Sequence, residues 1–464
     1  MMKTPQRRRA FPYVRSAPVR GRTGALILFA LTLLATVALG LSACSGPPAP
    51  TPQAVQPSTP TRAPQPTSIP TAENAAESGP IILTWWTPEF LSPQASQPAG
   101  ALLADQLKAF SEAQGGRVRV ETVRKARYGK GGLLDSLRTA QPVASSTLPD
   151  IVALDAVEVE KAVEAGLLQP LDGLLDTKVT EVLYPFATEA GLFSGRLYAV
   201  QYLADIDHAA YHPTQVADPP VDWKGLIDRR IAYLFAMAQP QTGSPQGAGA
   251  RPGEGLSHAV LSQYLSAGAT LAQDRRLILE SQPLLRLLTF YAEAGKAGVL
   301  PPVGPGIADG EAVWSIFSQG QAPLADVSAR RFMKDGAGAG RYAVAPGFEG
   351  PAPSLASGWA LAIVTTDPAR QRAAAELITW LLKSDNAGAW AAQAGWLPTS
   401  SGALKALGDG DYWSFLDSQL AQARGVPAGR DYATTASRVQ VAIEAVLKGQ
   451  TDPAAAAEAA INGQ

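Results

Sequence analysis

The chain has 464 residues, of which 46% are hydrophobic and 17% are charged, and its formal net charge is −1. This apolar content excludes a chain that is disordered throughout, and the near-neutral charge argues against a nucleic-acid-binding protein. A single cysteine excludes a disulfide framework or a zinc ribbon, and three histidines leave little room for an imidazole-based metal site. We therefore expect no cofactor, no metal and no nucleic-acid partner.

The N-terminal segment has the composition of an export signal. Residues 1–43 contain seven basic residues and no acidic residue, and an apolar run at 24–40 leads to small residues. The sequence LSAC at 41–44 resembles the lipobox of bacterial lipoproteins, in which the cysteine is acylated and becomes the first mature residue. The resemblance implies a signal peptide over 1–43 and a lipid anchor on Cys44 at the outer face of the cell membrane. The alternative is an uncleaved transmembrane anchor, since the apolar run is just long enough to span a bilayer.

The next segment, residues 44–80, has the composition of a tether. Ten prolines lie among Thr, Ser, Ala and Gln between residues 45 and 80, and large apolar side chains are nearly absent. Such a segment cannot bury enough surface to offset the entropy of ordering it. We expect it to be extended and disordered, and the folded part of the chain to begin near residue 81.

The first part of the folded region predicts alternating strands and helices. Apolar periodicity predicts strands at 81–86, 117–123 and 149–154, and helices at 101–112, 132–140 and 156–165. Strands separated by helices of this length are typical of an α/β fold with a mainly parallel sheet. Ligands of such sheets bind beyond the carboxyl ends of the strands, which points to residues 86–89 and to Asp155.

Seven sequence blocks carry a family resemblance. In chain order they are WWTPEF, PDIVALDAVEVEKAVEAGLLQPLDGLL, GRLYAVQYLADIDHAAYHP, FSQGQAPLADVS, YAVAPGFEG, SGWALAIV and WLLKSDNAGAWAAQAGWLPTS. Their order and spacing resemble the family 1 extracellular solute-binding proteins of ABC importers, which include maltodextrin-binding lipoproteins. The resemblance covers essentially all of residues 81–464.

This resemblance implies a two-lobed, type II periplasmic-binding-protein-like α/β fold with a solute in the cleft between the lobes. The chain would cross between the lobes at 197–211 and at 355–364. Lobe 1 would then comprise residues 81–204 and 356–405, and lobe 2 residues 205–355 and 406–464. The Gly/Pro/Gln-rich stretch 239–255 departs from the family pattern, and we expect it to be a mobile loop.

A carbohydrate site needs flat aromatic surfaces beside polar groups, because a sugar ring has an apolar face and a polar rim. The resemblance and the strand-end rule together give these candidate ligand-binding residues: Trp86, Glu89, Asp155, Tyr202, Asp205, Ser328, Arg330, Trp359, Trp396 and Tyr432. Trp359 is the leading candidate, since it follows a glycine and occupies the family's sugar-stacking position. Alternation along a strand predicts that Asp205 and Asp207 share one face.

Several of these residues have alternative structural interpretations. Trp86 and Trp396 fit a hydrophobic core equally well, and Asp155 fits the N-cap of a helix. Tyr432 is predicted to lie in a loop before the C-terminal helix. Three further tryptophans are interpreted as core residues: Trp314, Trp380 and Trp390.

The sequence gives little support for catalysis. His208 and His212 have the spacing of a helical metal motif, but the expected catalytic glutamate is absent and a strand would hold the two rings too far apart for one ion. The sequence contains no GxSxG, P-loop or GxGxxG motif. The prediction is a monomeric, non-catalytic lipoprotein that delivers a carbohydrate to an ABC permease. Two alternatives remain open: a surface-anchored glycosidase, whose paired carboxylates have no sequence signature, and a binder of a non-sugar solute.

Overall fold

The computed structural model describes residues 79–95, 98–237, 255–272, 275–300, 310–429 and 431–463. The predicted signal peptide, Cys44, nearly all of the tether and residues 239–254 of the predicted mobile loop lie outside these ranges. Within them, no helix is both long enough and apolar enough to cross a membrane.

The strands form one large mixed sheet and a small hairpin. The strands are Ile81–Pro88 (β1), Val118–Lys125 (β2), Ile151–Asp155 (β3), Leu192–Phe193 (β4), Arg196–Leu197 (β5), Ala199–Tyr211 (β6), Tyr233–Leu234 (β7), Leu324–Ser328 (β8), Arg341–Ala343 (β9), Leu355–Ile363 (β10), Leu397–Pro398 (β11) and Arg424–Gly425 (β12). The main path of the large sheet runs β2-β1-β3-β10-β6-β8-β7, and β4 pairs with β5 to form the hairpin.

Helices connect and cover these strands. They are Pro98–Ala113 (α1), Leu133–Ala140 (α2), Val159–Glu164 (α3), Thr177–Glu181 (α4), Pro185–Glu189 (α5), Trp223–Arg229 (α6), His258–Ser266 (α7), Ser281–Ala297 (α8), Gly310–Ser318 (α9), Ala329–Asp335 (α10), Pro368–Leu382 (α11), Ser384–Ala394 (α12), Ser401–Leu404 (α13), Asp411–Gln422 (α14), Tyr432–Leu447 (α15) and Pro453–Asn462 (α16). The six elements predicted between residues 81 and 165 are all present, with shifted boundaries.

The sheet is less parallel than predicted. β1 pairs in parallel with β2 and β3, but β10 runs antiparallel to both β3 and β6, and β6 runs antiparallel to β8. The prediction of a mainly parallel sheet was therefore wrong at the centre of the sheet. The central strands β6 and β10 span the two segments that were predicted to cross between the lobes. A segment that returns from a second part of the sheet enters the first part antiparallel to its neighbours.

The long strand β6 joins two parts of the sheet. Its first half, from Ala199 to Ile206, pairs with β10, and its second half, from Asp207 to Tyr211, pairs with β8. A single continuous strand thus contributes to both parts, so residues near position 205 lie at the junction between them.

Two large hydrophobic cores lie on either side of this junction. The first packs β1, β3 and β10 against α1, α11 and α12, and the second gathers α7, α8, α15 and α16. Leu416 and Leu420 of α14 pack in the first core, although the predicted boundary grouped residues 406–464 with lobe 2. Trp390 and Trp314 are buried as predicted, and Trp380 is partly buried.

A buried ion pair fixes the amino end of β3. Asp150 is 3% exposed and accepts hydrogen bonds from Nε and Nη2 of Arg370 in α11, both at 2.6 Å. Its carboxylate also accepts the backbone N–H of Thr84 in β1 at 2.7 Å. The bidentate geometry ties α11 to the first strands of the sheet.

Candidate functional site

The parallel strands β1, β2 and β3 end at one edge of the sheet. β1 ends at Pro88, β2 at Lys125 and β3 at Asp155, and the residues that follow include Phe90 and Tyr128. The carboxyl ends of parallel strands position loops for ligand binding. This edge therefore supplies one side of the candidate site.

Trp359 in β10 lies beside this edge. It pairs with Asp155 in the ladder between β10 and β3, and its side chain is 3% exposed. The ring of Phe90 meets it edge-on at 5.3 Å, and the ring of Tyr128 lies at 6.0 Å. The structure thus places Trp359 under an aromatic cover formed by the loops after β1 and β2.

The glycine before Trp359 allows a close approach of two strands. Gly358 has a φ of +151°, and a Cβ there would lie 1.9 Å from the carbonyl oxygen of Leu203 in β6. Only glycine fits this position without displacing β6.

Asp155 organises the turn after β3. Its side chain accepts a hydrogen bond from the hydroxyl of Tyr128 at 2.5 Å and one from the backbone N–H of Val157 at 3.2 Å. The residue that caps α3 is Glu158, so Asp155 is not the N-cap that the alternative interpretation gave. It is 2% exposed and holds Tyr128 close to Trp359.

Asp205 lies at the junction within β6 and is half-buried. Its carboxylate accepts hydrogen bonds from the hydroxyl of Ser328 at 2.7 Å and from the backbone N–H of Arg330 at 3.2 Å. Burial raises the pKa of Asp205 to about 6, against the opposing charge of the Arg330 guanidinium. Asp207 is also half-buried, as expected for the same face of the strand, and lies 3.6 Å from the imidazole of His258.

Arg330 and Trp396 connect the two sides of the site. The guanidinium carbon of Arg330, at the start of α10, lies 3.4 Å from the centre of the Trp396 ring, and its Nε donates to the carbonyl of Gly395 at 2.8 Å. Trp396 in turn stacks on Phe90 with ring centres 5.2 Å apart. Burial lowers the pKa of Arg330, although the Asp205 charge opposes this change. These contacts form a continuous cluster from the β1 loop to α10.

Glu89 is held at the rim of this cluster. Its carboxylate forms an ion pair with Arg127 at 2.6 Å, and the Arg127 guanidinium lies 5.8 Å from the centre of the Phe90 ring. Both charged side chains are substantially exposed. The pair therefore provides polar groups next to the aromatic surface and contributes little to stability.

Sequence analysis missed three residues of this cluster: Phe90, Arg127 and Tyr128. The strand-end rule that selected Asp155 applies equally to the end of β2. The periodicity placed that end at residue 123, whereas β2 continues to Lys125. Applying the rule at the observed end would have selected Arg127 and Tyr128.

Tyr432 lies on the other side of the site, as the first residue of α15 and not in the predicted loop. Its hydroxyl accepts the backbone N–H of Leu256 at 3.2 Å. Tyr432 and Tyr128 line a cavity of about 290 Å³. A larger cavity of about 850 Å³ shares Phe90, Arg330 and Trp396 with the cluster.

Besides Tyr432, two predicted site residues lie outside the cluster. Tyr202 has no exposed surface, its ring packs on Trp390 at 5.9 Å, and burial raises its pKa. It lies three residues before Asp205, so alternation turns it to the opposite face of β6, into the first core. Trp86 is 6% exposed and packs in the same core, with the ammonium of Lys125 4.3 Å from its ring centre.

The two histidines of the spaced pair make separate contacts. His208 in β6 is buried, which lowers its pKa to about 4, and its Nε2 hydrogen-bonds with the hydroxyl of Tyr412 at 3.0 Å. His212 Nε2 hydrogen-bonds with the carbonyl of Phe317 at 2.8 Å. Within the described part of the chain, no group of three or more His, Cys, Asp or Glu side chains is arranged to hold a metal ion.

Solved structures share this fold. The cyclic alpha-maltosyl-1,6-maltose binding protein from Arthrobacter globiformis is 20% identical, with a TM-score of 0.66 over 83% of this chain and 98% of that one. The sugar-binding protein MalE from the phytopathogen Xanthomonas citri is 18% identical, with a TM-score of 0.64 over 82% and 95%. A cyclo/maltodextrin-binding protein complexed with maltotetraose is 16% identical, with a TM-score of 0.64 over 84% and 97%. These likenesses confirm the predicted two-lobed fold.

The sequence itself identifies the family. Residues 105–414 match the profile of the bacterial extracellular solute-binding proteins, which is most of the folded region. The match includes β2, β3, β6, β8 and β10 and therefore most of the cluster around Trp359 and Arg330. Proteins of this family bind solutes outside the cytoplasm. The chain belongs to the bacterial extracellular solute-binding protein family.

Proposed function

We propose that the protein captures a carbohydrate in the cleft beside Trp359 and Arg330 and delivers it to an ABC permease. The observation that carries this proposal is the convergence of aromatic rings and polar groups at one cavity: Phe90 and Trp396 lie beside the Arg330 guanidinium at the 850 Å³ space. A sugar packs its apolar face on such rings and presents its hydroxyls to such polar groups. The names of the three structural neighbours, all of which refer to sugars or maltodextrins, support the same ligand class.

Capture would work by closure of two lobes. Their proposed extents are 81–204 with 356–405, and 205–355 with 406–464. The crossing strands β6 and β10 link them, and Arg330 and Trp396 come from opposite sides. A solute that touches both sides shifts the population towards the closed form, because only that form makes all the contacts. The closed surface would then be presented to the permease by a monomer.

The anchoring part of the proposal rests on Cys44. We propose that this cysteine is acylated after removal of residues 1–43 and that the Pro/Thr-rich segment to residue 80 holds the folded region away from the membrane. Expressed in a bacterial host that processes lipoproteins, the full chain should fractionate with membranes, and Cys44→Ala should release it. Mass spectrometry that finds an unlipidated Cys44 in the wild-type protein would refute the anchor.

The carbohydrate proposal is tested with the purified folded region in a thermal-shift screen of neutral and acidic mono- and oligosaccharides, followed by calorimetry. A ligand that binds only the folded state raises the melting temperature by mass action. Arg330→Ala should reduce the affinity, whereas Arg372→Ala, a change of an exposed arginine on α11, should not. Absence of a shift with every saccharide, together with a shift by a non-sugar solute, would refute the proposal.

A reducing-sugar assay on the same samples separates the glycosidase alternative. A binding protein returns the oligosaccharide intact, whereas a glycosidase releases new reducing ends. We expect no release over many hours with an oligosaccharide that the protein binds. A release of reducing ends that increases with protein concentration and with time would establish catalysis.

A further inference from the structure

The larger cavity, which we call the chamber, extends beyond the cluster. Its walls combine residues of α10 with the C-terminal part of α12 and the N-terminal part of α14. Beyond Phe90 and Trp396, its aromatic surface comes from Phe332, Tyr342, Tyr412 and Trp413. The Tyr342 and Tyr412 rings lie 4.9 Å apart, and the Tyr412 and Trp413 rings 5.7 Å apart. The chamber is therefore wide enough and aromatic enough to receive part of a bound molecule.

The charged side chains of this chamber all have one sign. Among the described residues that line it, Arg330, Lys334 and Arg341 are cationic and none is acidic. Lys334 and Arg341 are exposed and form no ion pair with another described residue. The neighbouring Arg331, by contrast, is paired with Glu311 at 3.4 Å and Asp335 at 3.1 Å. The cations that line the chamber therefore form no ion pair with a described residue, whereas Arg331, which does not line it, forms two.

Arg330 has spare hydrogen-bond donors. Its Nε donates to Gly395, and no described residue accepts from its two Nη groups. The oxygens of Asp205 accept hydrogen bonds from the hydroxyl of Ser328 and the backbone N–H of Arg330, and they accept none from the Arg330 guanidinium. A half-buried guanidinium with uncommitted Nη groups is a strong site for a carboxylate or another planar anion, because both Nη groups can bind it together.

The nearby acids do not cancel this charge. Glu89 is paired with Arg127, and Asp205 is held as described above. Burial and then the charge of Asp411 raise the pKa of Tyr342, which places Asp411 near the chamber although it does not line it. The lining thus carries three cations and no acid, while two acids, Asp205 and Asp411, lie close outside it.

We propose that this chamber binds an anionic unit of the solute, so that the carbohydrate captured by this protein is an acidic saccharide. The Nη groups of Arg330 bind the anion, Lys334 and Arg341 attract it at the mouth, and the rings of Tyr412 and Trp413 pack on the sugar. This inference rests on the proposed carbohydrate function and narrows its ligand class. The anion can be the carboxylate of a hexuronate or the sulfate of a sulfated sugar, and the experiment separates these sources.

The test is calorimetric titration of the folded region with three matched sets of probes: hexuronate oligosaccharides, the same oligosaccharides with their carboxyl groups reduced to alcohols, and sulfated oligosaccharides. We expect one acidic set to bind at least about tenfold more tightly than the carboxyl-reduced set at low salt, and the difference in affinity to shrink as ionic strength rises. Which acidic set binds identifies the source of the anion. Neutral probes that bind as tightly as the acidic ones would overturn the inference and leave the carbohydrate function intact.

Variants locate the effect in the chamber. The double change Lys334→Gln with Arg341→Gln alters only exposed side chains, and we expect it to weaken the acidic probe by about tenfold and the neutral probe by less than about twofold. Arg330→Lys keeps the charge but loses the two-pronged geometry, and it should also weaken the acidic probe. Arg372→Gln is the matched control for a loss of charge elsewhere. Equal effects of the control and the double variant would refute the chamber, and failure of every saccharide to bind would refute the carbohydrate function and this inference together.

Discussion

Two carboxylates of this protein, Asp150 and Asp205, are held in opposite ways. Asp150 at the amino end of β3 is 3% exposed and receives both prongs of Arg370. Asp205 in the middle of β6 receives only a hydroxyl and a backbone N–H, while the guanidinium beside it stacks on Trp396. The first arrangement neutralises a charge and fixes the sheet. The second leaves an acid with a raised pKa and an arginine with free donors, which is typical of a binding site.

The largest expected effect is that of Trp359→Ala in the candidate site. Large-to-small changes of buried aromatic residues cost about 3–5 kcal/mol of folding stability, and Trp359 packs beneath Phe90 and Tyr128. If its indole also contacts the solute, the affinity should fall by about 2 kcal/mol, which is roughly thirtyfold. A melting curve and a calorimetric titration measure the two effects on one variant. Trp359→Phe is the control that keeps an aromatic ring, and native affinity of the alanine variant would remove Trp359 from the site.

The structural role of the ion pair between Asp150 and Arg370 is tested by Asp150→Ala. This change removes the acceptor of Arg370 Nε and of the Thr84 N–H, while Nη2 of Arg370 keeps the carbonyl of Ile82, and we expect it to cost about 3 kcal/mol of unfolding free energy. That value is at the low end for a broken buried pair because Arg370 is partly exposed. Denaturant unfolding checks the loss. The variant should bind solute with native affinity at temperatures where it stays folded, so a large loss of affinity would contradict a purely structural role.

The smallest expected effect is the pH dependence of Asp205. Its pKa of about 6 in the folded protein lies above the ordinary value of about 3.9, so the folded state retains a proton that the unfolded state has lost. The contribution of Asp205 to stability is therefore present below about pH 4 and is lost as the pH rises to about 6, by on the order of 1 kcal/mol for this half-buried group. Burial of His208, whose pKa is lowered to about 4, adds a change of opposite sign over the same range, so the decline is measured as the difference in unfolding free energy between the wild type and Asp205→Asn at pH 4, 5, 6 and 7. The same difference should appear between Asp105→Asn, an exposed control, and Asp205→Asn.

Relative to Asp205→Asn, whose amide does not titrate, the wild type should therefore lose stability as the pH rises from 4 to 6. An identical pH profile for the wild type and Asp205→Asn would mean that Asp205 titrates normally. The contrast between the two carboxylates would then reduce to their hydrogen bonds alone.

The local sequence pattern predicted the first strands and helices of the fold but not the directions in which the central strands run. Apolar periodicity located β1 to β3 and the intervening helices, and alternation correctly placed Asp205 and Asp207 on one face. The antiparallel entry of β6 and β10 depends on how two distant segments return to the sheet, which periodicity does not encode. Tyr202 was a different kind of miss, since the alternation that placed Asp205 and Asp207 on one face of β6 also places Tyr202 on the opposite, buried face.

The candidate site was partly predictable for a similar reason. Residues at strand ends can be selected by rule, as Ser328 and Arg330 were after the strand in APLADVS, and Trp396 was selected after the end of a predicted helix. Their partners could not be predicted, since the contact of Arg330 with Trp396 joins residues 66 positions apart through the packing of α10 against the end of α12. Phe90 lay one residue beyond the range that the rule was applied to.

The central claim is that a saccharide binds where Phe90, Trp396 and Arg330 converge. A crystal structure of the protein with a saccharide found in the binding screen tests it most directly. The account predicts a sugar ring packed on at least one of these aromatic rings, with an Nη group of Arg330 within hydrogen-bond distance of the ligand. A saccharide bound elsewhere on the folded region, with no contact to any of the three residues, would contradict it.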